Sequence, residues 1–138
     1  MDQTSRLALP FIMPSQAQKH ITHNEAIQAL DALVQPVVSS RTMVSPPSLP
    51  LEGEAHVVPM GATGLWAGHG DEIAAWQSGA WSFFDPAPGW QVFCRADRTQ
   101  YVFDSAGWVP LAGVGLLAAL MAAVQDLSER VEALEPMP

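Results

Sequence analysis

The sequence predicts an α+β protein with an extended N-terminal arm, a short helix, a small antiparallel β-domain of hairpins and a C-terminal coiled-coil helix. Prolines bracket residues 11–13 in the first segment, apolar residues alternate in the middle, and apolar residues recur as a heptad near the end. We therefore expect four segments. They are the arm and docking helix (1–38), a linker (39–54), a Trp-rich antiparallel β-domain (55–111) and a coiled-coil oligomerisation helix (112–138).

The arm, residues 1–18, is expected to be extended because Pro10 and Pro14 disfavour helix on both sides of residues 11–13. An apolar arm needs a surface that removes it from water. We expect it to lie on another chain or on the rest of its own. Its docking residues would be Leu9, Phe11, Ile12 and Met13.

A short helix is expected after the arm. Thr22 and Glu25 have the spacing of a capping box, and Pro36 stops a helix. The expected buried face consists of Ala26, Ile27, Leu30, Leu33 and Val34. Residues 39–54 then contain three prolines and several serines, which is typical of a linker or a loop along a sheet edge.

The β-domain is predicted from period-two alternation and from turn residues. Ser78-Gly79 separates two apolar runs, as in a tight hairpin. Further turns are expected at 96–98 and 104–107. Because every run is short and bounded by a turn, the strands should pair with their neighbours in the sequence.

The C-terminal helix carries a narrow apolar seam, which favours packing against other copies of itself. The seam consists of Leu117, Leu120, Val124, Leu127, Val131 and Leu134. Arg130 and Glu135 take positions g and e, where they can pair between neighbouring helices. Their segment resembles the Arg-apolar-x-x-apolar-Glu signature of parallel trimers, whereas Val at a with Leu at d favours dimers. A homotrimer is our expectation; the alternative is an ordinary helix packed on its own domain.

Composition limits the classes of partner. Six Lys+Arg against fourteen Asp+Glu give a net charge of −8, which disfavours direct binding to nucleic acid. No apolar run reaches eighteen residues, so no membrane span is predicted. The single cysteine, Cys94, lies in an apolar run and is expected to be a packed thiol. Only 14% of residues are charged, which indicates that surface is covered by other chains.

Three stretches resemble a known family. They are LPFIMPSQAQKHITHNEA (9–26), GEAHVV (53–58) and GATGLWAGH (61–69). They resemble an uncharacterised phage-type domain of alphaproteobacterial prophages and gene transfer agents, the phage-like particles that package host DNA. The resemblance covers about residues 5–111.

The resemblance implies a structural subunit of a head spike or fibre, in a virion-like particle assembled in the bacterial cytoplasm. It implies other capsid or spike proteins as partners and no enzymatic activity. A capsid vertex would also admit a pentamer.

The sequence offers candidate residues for three kinds of site besides oligomerisation: carbohydrate-binding, metal-binding and catalytic. Exposed indoles could bind host capsular polysaccharide, with Gln77, Asp85, Gln91 and Asp97 as polar neighbours, and the protein would then be a receptor-binding module. The candidate carbohydrate-binding residues are Trp66, Trp76, Trp81 and Trp90.

His20 and His23 need not share a helix face, so we predict no metal site and no cofactor. Ser82 and Ser105 lack a nucleophile-elbow context, so we predict no enzyme.

Overall fold

The computed structural model describes residues 2–13 and 19–134, and this part of the chain forms two α-helices and seven strands. In chain order they are α1 (Lys19–Leu33), β1 (Val37–Val38), β2 (Ala55–Val57), β3 (Ile73–Gln77), β4 (Ala80–Phe84), β5 (Gln91–Cys94), β6 (Thr99–Asp104), β7 (Gly107–Pro110) and α2 (Leu111–Leu134). A 3-10 turn, Gly64–Trp66, lies between β2 and β3. The predictions of an α+β fold and of a C-terminal helix are confirmed.

The strands form two sheets, ordered β1-β5-β6-β7 and β2-β3-β4. All pairings are antiparallel except that of β1 with β5. The residues after β1 connect the two sheets. The amide of Ser39 donates to the carbonyl of Ala55 at 2.8 Å, and that of Val57 donates to the carbonyl of Ser40 at 3.0 Å.

One core lies between the sheets and receives side chains from both. Its buried residues are Ala32, Val38, Ala55, Val57, Ile73, Ala75, Val92, Cys94, Tyr101 and Trp108. Ala32 and Val38 belong to the segment 1–38, which we predicted to be the arm and docking helix. The end of α1 and the β-domain therefore share the same core.

The hairpin between β3 and β4 follows from its turn chemistry. Ser78 and Gly79 have φ of 52° and 80°, as a type I′ turn requires, and they set Gln77 opposite Ala80. This turn type matches the right-handed twist of the strands, and glycine adopts its second position without steric cost. The predicted hairpin is confirmed at this register.

Residues 39–54 contain no helix or strand, yet they are tied to the β-domain by backbone hydrogen bonds. The amide of Gly53 donates to the carbonyl of Trp76 at 2.8 Å, and that of Thr63 donates to the carbonyl of Val44 at 2.7 Å. The segment is a loop that lies along the sheet.

The expectation of an extended arm is wrong. Thr4 donates its amide to the carbonyl of Leu9 at 3.0 Å, and Phe11 donates to the carbonyl of Asp2 at 2.9 Å, so the chain folds back on itself. The Thr4 hydroxyl, which is buried, also accepts from the amide of Leu9 at 3.0 Å. These bonds make a compact turn that a proline pattern alone does not reveal.

The predicted capping box is also wrong. Helix α1 includes Lys19, so Thr22 is already its fourth described residue and cannot occupy the cap position. Asn24, rather than the box, makes side-chain bonds near this end, and its partner is the backbone of Ile12 in the arm.

The buried face of α1 differs from the predicted one. Asp31 and Ala32 are the buried residues of the helix, whereas Leu30 and Val34 are 50% and 44% exposed. The reason is that the arm turn binds α1 on the side of Asp31. A carboxylate there accepts backbone donors that no apolar side chain could satisfy.

Candidate functional site

Helix α2 presents the predicted seam to solvent. Every described side chain from 119 to 134 is exposed. Within this stretch the seam residues Leu120, Val124, Leu127, Val131 and Leu134 are 53–83% exposed. A row of exposed leucines and valines along one line of a helix is an unpaired apolar surface.

The seam can supply substantial association energy. A helix of 24 residues is about 36 Å long. Full burial of one fully exposed Leu or Val side chain contributes about 1.5–3 kcal/mol, so these five partly exposed residues contribute at most about 15 kcal/mol per chain before ordering costs. The seam can therefore associate with another apolar surface through the hydrophobic effect.

Three predicted oligomerisation residues remain: Leu117, Arg130 and Glu135. The side chain of Leu117 and the whole of Glu135 are outside the described residues. Arg130 pairs with Asp126 one turn earlier on its own helix, Nε to Oδ2 at 3.2 Å, and both side chains are largely exposed. An Arg130–Glu135 pair between chains stays a prediction.

The docking arm lies on α1 of its own chain. Leu9, Phe11 and Ile12 are half-buried there, and Met13 is exposed. The Asn24 amide group binds the Ile12 backbone twice, accepting from its N–H at 2.9 Å and donating to its carbonyl at 3.1 Å. Of the two expected partners of the arm, the structure therefore has its own chain.

Asp31 fastens the arm turn to the helix. Its carboxylate accepts from the amide of Leu7 at 2.7 Å and from the amide of Arg6 at 3.2 Å, and its side chain is 1% exposed. The Arg6 guanidinium in turn donates to the carbonyls of Asp31, Val34 and Gln35 at the end of α1. A cation on unpaired carbonyls at a helix C-terminus also offsets the helix dipole.

The four candidate tryptophans do not form one platform. Trp66 is completely buried, so its expected role in stacking on a sugar is wrong. It lies under the outer face of β3 and β4, with its ring 5.3 Å from that of Trp81, which is 5.2 Å from that of Trp76. Trp76 and Trp81 are half-buried, so each keeps some surface for contact. Trp66 instead fills a second small core.

Trp90 lies elsewhere, beside the end of α1, at a pair of adjoining grooves. The larger groove has a volume of about 590 Å³, and Gln35, Gln91, Gln100 and Phe93 are among its lining residues. The smaller one, of about 310 Å³, is lined by Trp90 with Leu30 and Val34. Both share Leu33, Pro36 and Gln91. We call the pair the glutamine groove.

A buried histidine bridges two polar side chains that the sequence analysis did not connect. His56 is 2% exposed; its Nδ1 lies 2.8 Å from the Ser40 Oγ and its Nε2 lies 2.7 Å from the Glu54 Oε1. Glu54 and His56 are two residues apart on an extended segment, so their side chains lie on the same face. This spacing could have indicated the pair from the sequence. No local pattern points to Ser40, which comes from the chain after β1.

The Glu54 carboxylate is held in its ionised form. Burial raises its pKa, but hydrogen bonds from the Leu51 amide and the His56 ring oppose this, so the pKa is lowered below its ordinary value. An ionised Glu54 accepts from His56 Nε2, and the Ser40 hydroxyl is the partner of Nδ1. Because both ring nitrogens are occupied and the ring lies 5.2 Å from that of Trp66, His56 serves as a buried polar link.

Asp97, a suggested polar partner for a sugar, is already engaged. The Tyr101 hydroxyl donates to its carboxylate, and this bond lowers the pKa of Asp97. The Arg41 guanidinium lies 4.2 Å from the centre of the Tyr101 ring. These three residues form a structural cluster.

Within residues 2–13 and 19–134, no group of three His, Cys, Asp or Glu side chains could hold a metal ion. In the same part of the chain, neither helix combines the length and apolar character needed to cross a bilayer.

Comparison with known proteins places the chain in a family. The comparison with curated proteins found no match. Residues 23–109 match DUF2793, described as a protein of unknown function, and this region is 87 of the 138 residues. It includes most of α1, the whole of β1 to β6 and β7 except its last residue, and it stops before α2. Since the match covers more than half of the sequence, the chain belongs to the DUF2793 family.

Proposed function

We propose that this protein is a structural subunit of a head spike or fibre in a phage-like particle, and that it assembles as a homo-oligomer through α2. The observation that carries the proposal is the exposed heptad seam, from Leu120 to Leu134. The seam continues for four turns beyond the β-domain, and a stripe that narrow is complementary to another copy of itself. The resemblance to domains of prophages and gene transfer agents supports the setting in a particle.

A parallel homotrimer is the favoured assembly because Arg130 and Glu135 match a trimer-favouring signature. A pentamer is the alternative at a capsid vertex. In either case the symmetry axis runs along the seam, and each copy contributes the same residues. The β-domains, with the arm folded onto each, would then be arranged around that axis, where they can contact other capsid or spike proteins.

Solution mass tests this proposal. The double variant Leu120→Asp/Leu127→Asp places charges in the seam, and we expect a lower oligomer order by light scattering coupled to size exclusion. Its matched control is Ala122→Asp/Ala133→Asp, which adds the same charges to exposed helix positions outside the seam. Equal masses for wild type, variant and control would contradict assembly through the seam.

The setting in a particle has a test of its own. Particles purified from a bacterium that produces them, with this chain tagged, should contain the tag in a fixed copy number. The seam variant should lower that number. Particles that form normally and never contain the tag would contradict a structural role.

A receptor-binding module for host capsular polysaccharide is the second candidate function. The accessible parts of Trp76, Trp81 and Trp90 favour it, because indole faces stack on the C–H faces of sugar rings. Binding of neutral polysaccharide to wild type, with loss in tryptophan variants, would support it. The two functions are compatible, since a spike subunit can also be an attachment protein.

A further inference from the structure

The glutamine groove has the volume of a small-molecule site. Its larger part, about 590 Å³, falls within the range of ligand pockets and would accept one or two sugar rings. It lies where the end of α1 meets the outer face of β5 and β6. On that face Phe93 is opposite Gln100, and Gln91 is opposite Val102.

Three glutamines, Gln35, Gln91 and Gln100, are among the residues that line the larger part of this groove. An amide side chain offers two donors and one acceptor carbonyl, which suits hydroxyl groups that both donate and accept. Gln100 Nε2 and Gln91 Oε1 are 3.5 Å apart, at the limit of a hydrogen bond, so both amides can turn toward a ligand at little cost.

Charge is excluded from the groove. The chain has a net charge of −8, yet none of the described residues that line either part carries an ionisable side chain. A charged ligand would be desolvated there without a counter-charge. A neutral, hydroxyl-rich ligand avoids the cost of desolvating a charge, and the glutamine amides can bind its hydroxyl groups.

Apolar contact comes from Phe93 and Trp90, which are held on a rigid frame. The amide of Phe93 donates to the carbonyl of Pro36 at 3.0 Å, and the carbonyl of Trp90 accepts from the amide of Phe103 at 2.8 Å. Trp90 also packs against the main core. The aromatic surfaces are therefore in place before a ligand arrives, which lowers the cost of binding.

We propose that the glutamine groove binds neutral saccharide units of a polysaccharide, with Trp90 and Phe93 contacting the rings and Gln91 and Gln100 binding their hydroxyls. This inference rests on the second candidate function and is independent of oligomerisation. A proline-rich peptide is the competing occupant of an aromatic groove. The amides favour the saccharide, because a proline-rich backbone offers mainly acceptors and would leave the amide carbonyls unpaired.

The test uses the full chain and neutral trisaccharides, namely maltotriose, cellotriose and tri-N-acetylchitotriose, with trigalacturonate as the acidic probe. Binding is measured by saturation-transfer NMR and by calorimetry. We expect at least one neutral trisaccharide to bind and trigalacturonate not to bind. Binding of trigalacturonate as tight as that of the neutral probes would overturn the assignment to a neutral ligand.

The decisive variant is Gln91→Met/Gln100→Met, which removes both amides and keeps side-chain length. Affinity for the bound trisaccharide should fall at least tenfold. Gln125→Met, an exposed glutamine of α2, is the matched control and should bind as wild type does. Trp90→Phe, which keeps an aromatic ring for the core, should give an intermediate loss.

The outcomes separate this site from the functions it relates to. Saccharide binding that survives Gln91→Met/Gln100→Met but is lost in Trp76→Ala or Trp81→Ala overturns the groove and retains the second candidate function. No binding to any neutral trisaccharide, or binding of a proline decamer instead, overturns the proposal. Neither result changes the solution mass, which tests the oligomer separately.

Discussion

Replacing Asp31 with alanine should release the arm turn and destabilise the protein. The carboxylate is 1% exposed and accepts the backbone N–H groups of Arg6 and Leu7. A buried donor left without its acceptor costs about 1–3 kcal/mol, so two such donors cost about 2–6 kcal/mol. The turn can reduce this cost by lifting into water, but it then exposes Phe11 and Ile12. We therefore expect a loss of about 2–3 kcal/mol in the free energy of unfolding.

Urea denaturation followed by circular dichroism measures this loss, and amide hydrogen exchange locates it. Exchange at Leu7 and Phe11 should accelerate more than exchange in β3 or β6, because the turn opens before the core does. Asp31→Asn keeps one acceptor for Leu7 and should lose about half as much stability. Glu25→Ala, an exposed carboxylate on the same helix, is the control and should change stability by less than about 0.5 kcal/mol. An Asp31→Ala protein with wild-type stability and an unchanged exchange rate at Leu7 would refute the reasoning.

Two further predictions concern the helix start and the buried histidine link. Thr22→Ala should be neutral or stabilise by about 0.5 kcal/mol, since Thr22 is inside α1 and alanine has the higher helix propensity; a true cap would lose about 1 kcal/mol in the same denaturation assay. The lowered pKa of Glu54 in the folded state means that the unfolded chain binds the proton more tightly. Its contribution to stability is therefore present above about pH 4.5 and is lost as the pH falls below it. Denaturation between pH 3 and 6 should show a shallower pH dependence for Glu54→Gln than for wild type, and identical slopes would contradict the lowered pKa of Glu54.

The sequence predicted those parts of the fold that depend on neighbouring residues. The β3–β4 hairpin follows from Ser78-Gly79, because few residue pairs adopt positive φ at both turn positions. Helix α2 follows from its heptad repeat, which persists over many residues. In both cases the signal and the structure that it specifies lie within one stretch of chain.

The parts that could not be predicted depend on distant partners. Asp31 is buried because amides 24 and 25 residues upstream turn back onto it, and an aspartate in an amphipathic pattern normally indicates the exposed face. The burial of Trp66 likewise depends on a loop that folds over the outer side of β3. Periodicity cannot show which of several tryptophans such a loop carries.

One candidate site depends on residues close in the sequence, and the other depends on residues far apart in it. The seam on α2 was predictable, because it is a property of one helix. The glutamine groove was not, because Gln35, Gln91 and Gln100 come together only when the end of α1 is placed beside β5 and β6. Trp90 could be suspected only because it is a tryptophan.

Cysteine cross-linking tests the central claim, that the seams of sister copies touch, most directly. Leu127→Cys places a thiol on the seam, and Glu129→Cys places one on an exposed position outside it, while the native Cys94 is buried and serves as the background in both proteins. Under mild oxidation we predict covalent dimers for Leu127→Cys and few or none for Glu129→Cys, by non-reducing gel electrophoresis. Equal cross-linking at both positions, or none at position 127, would contradict the account.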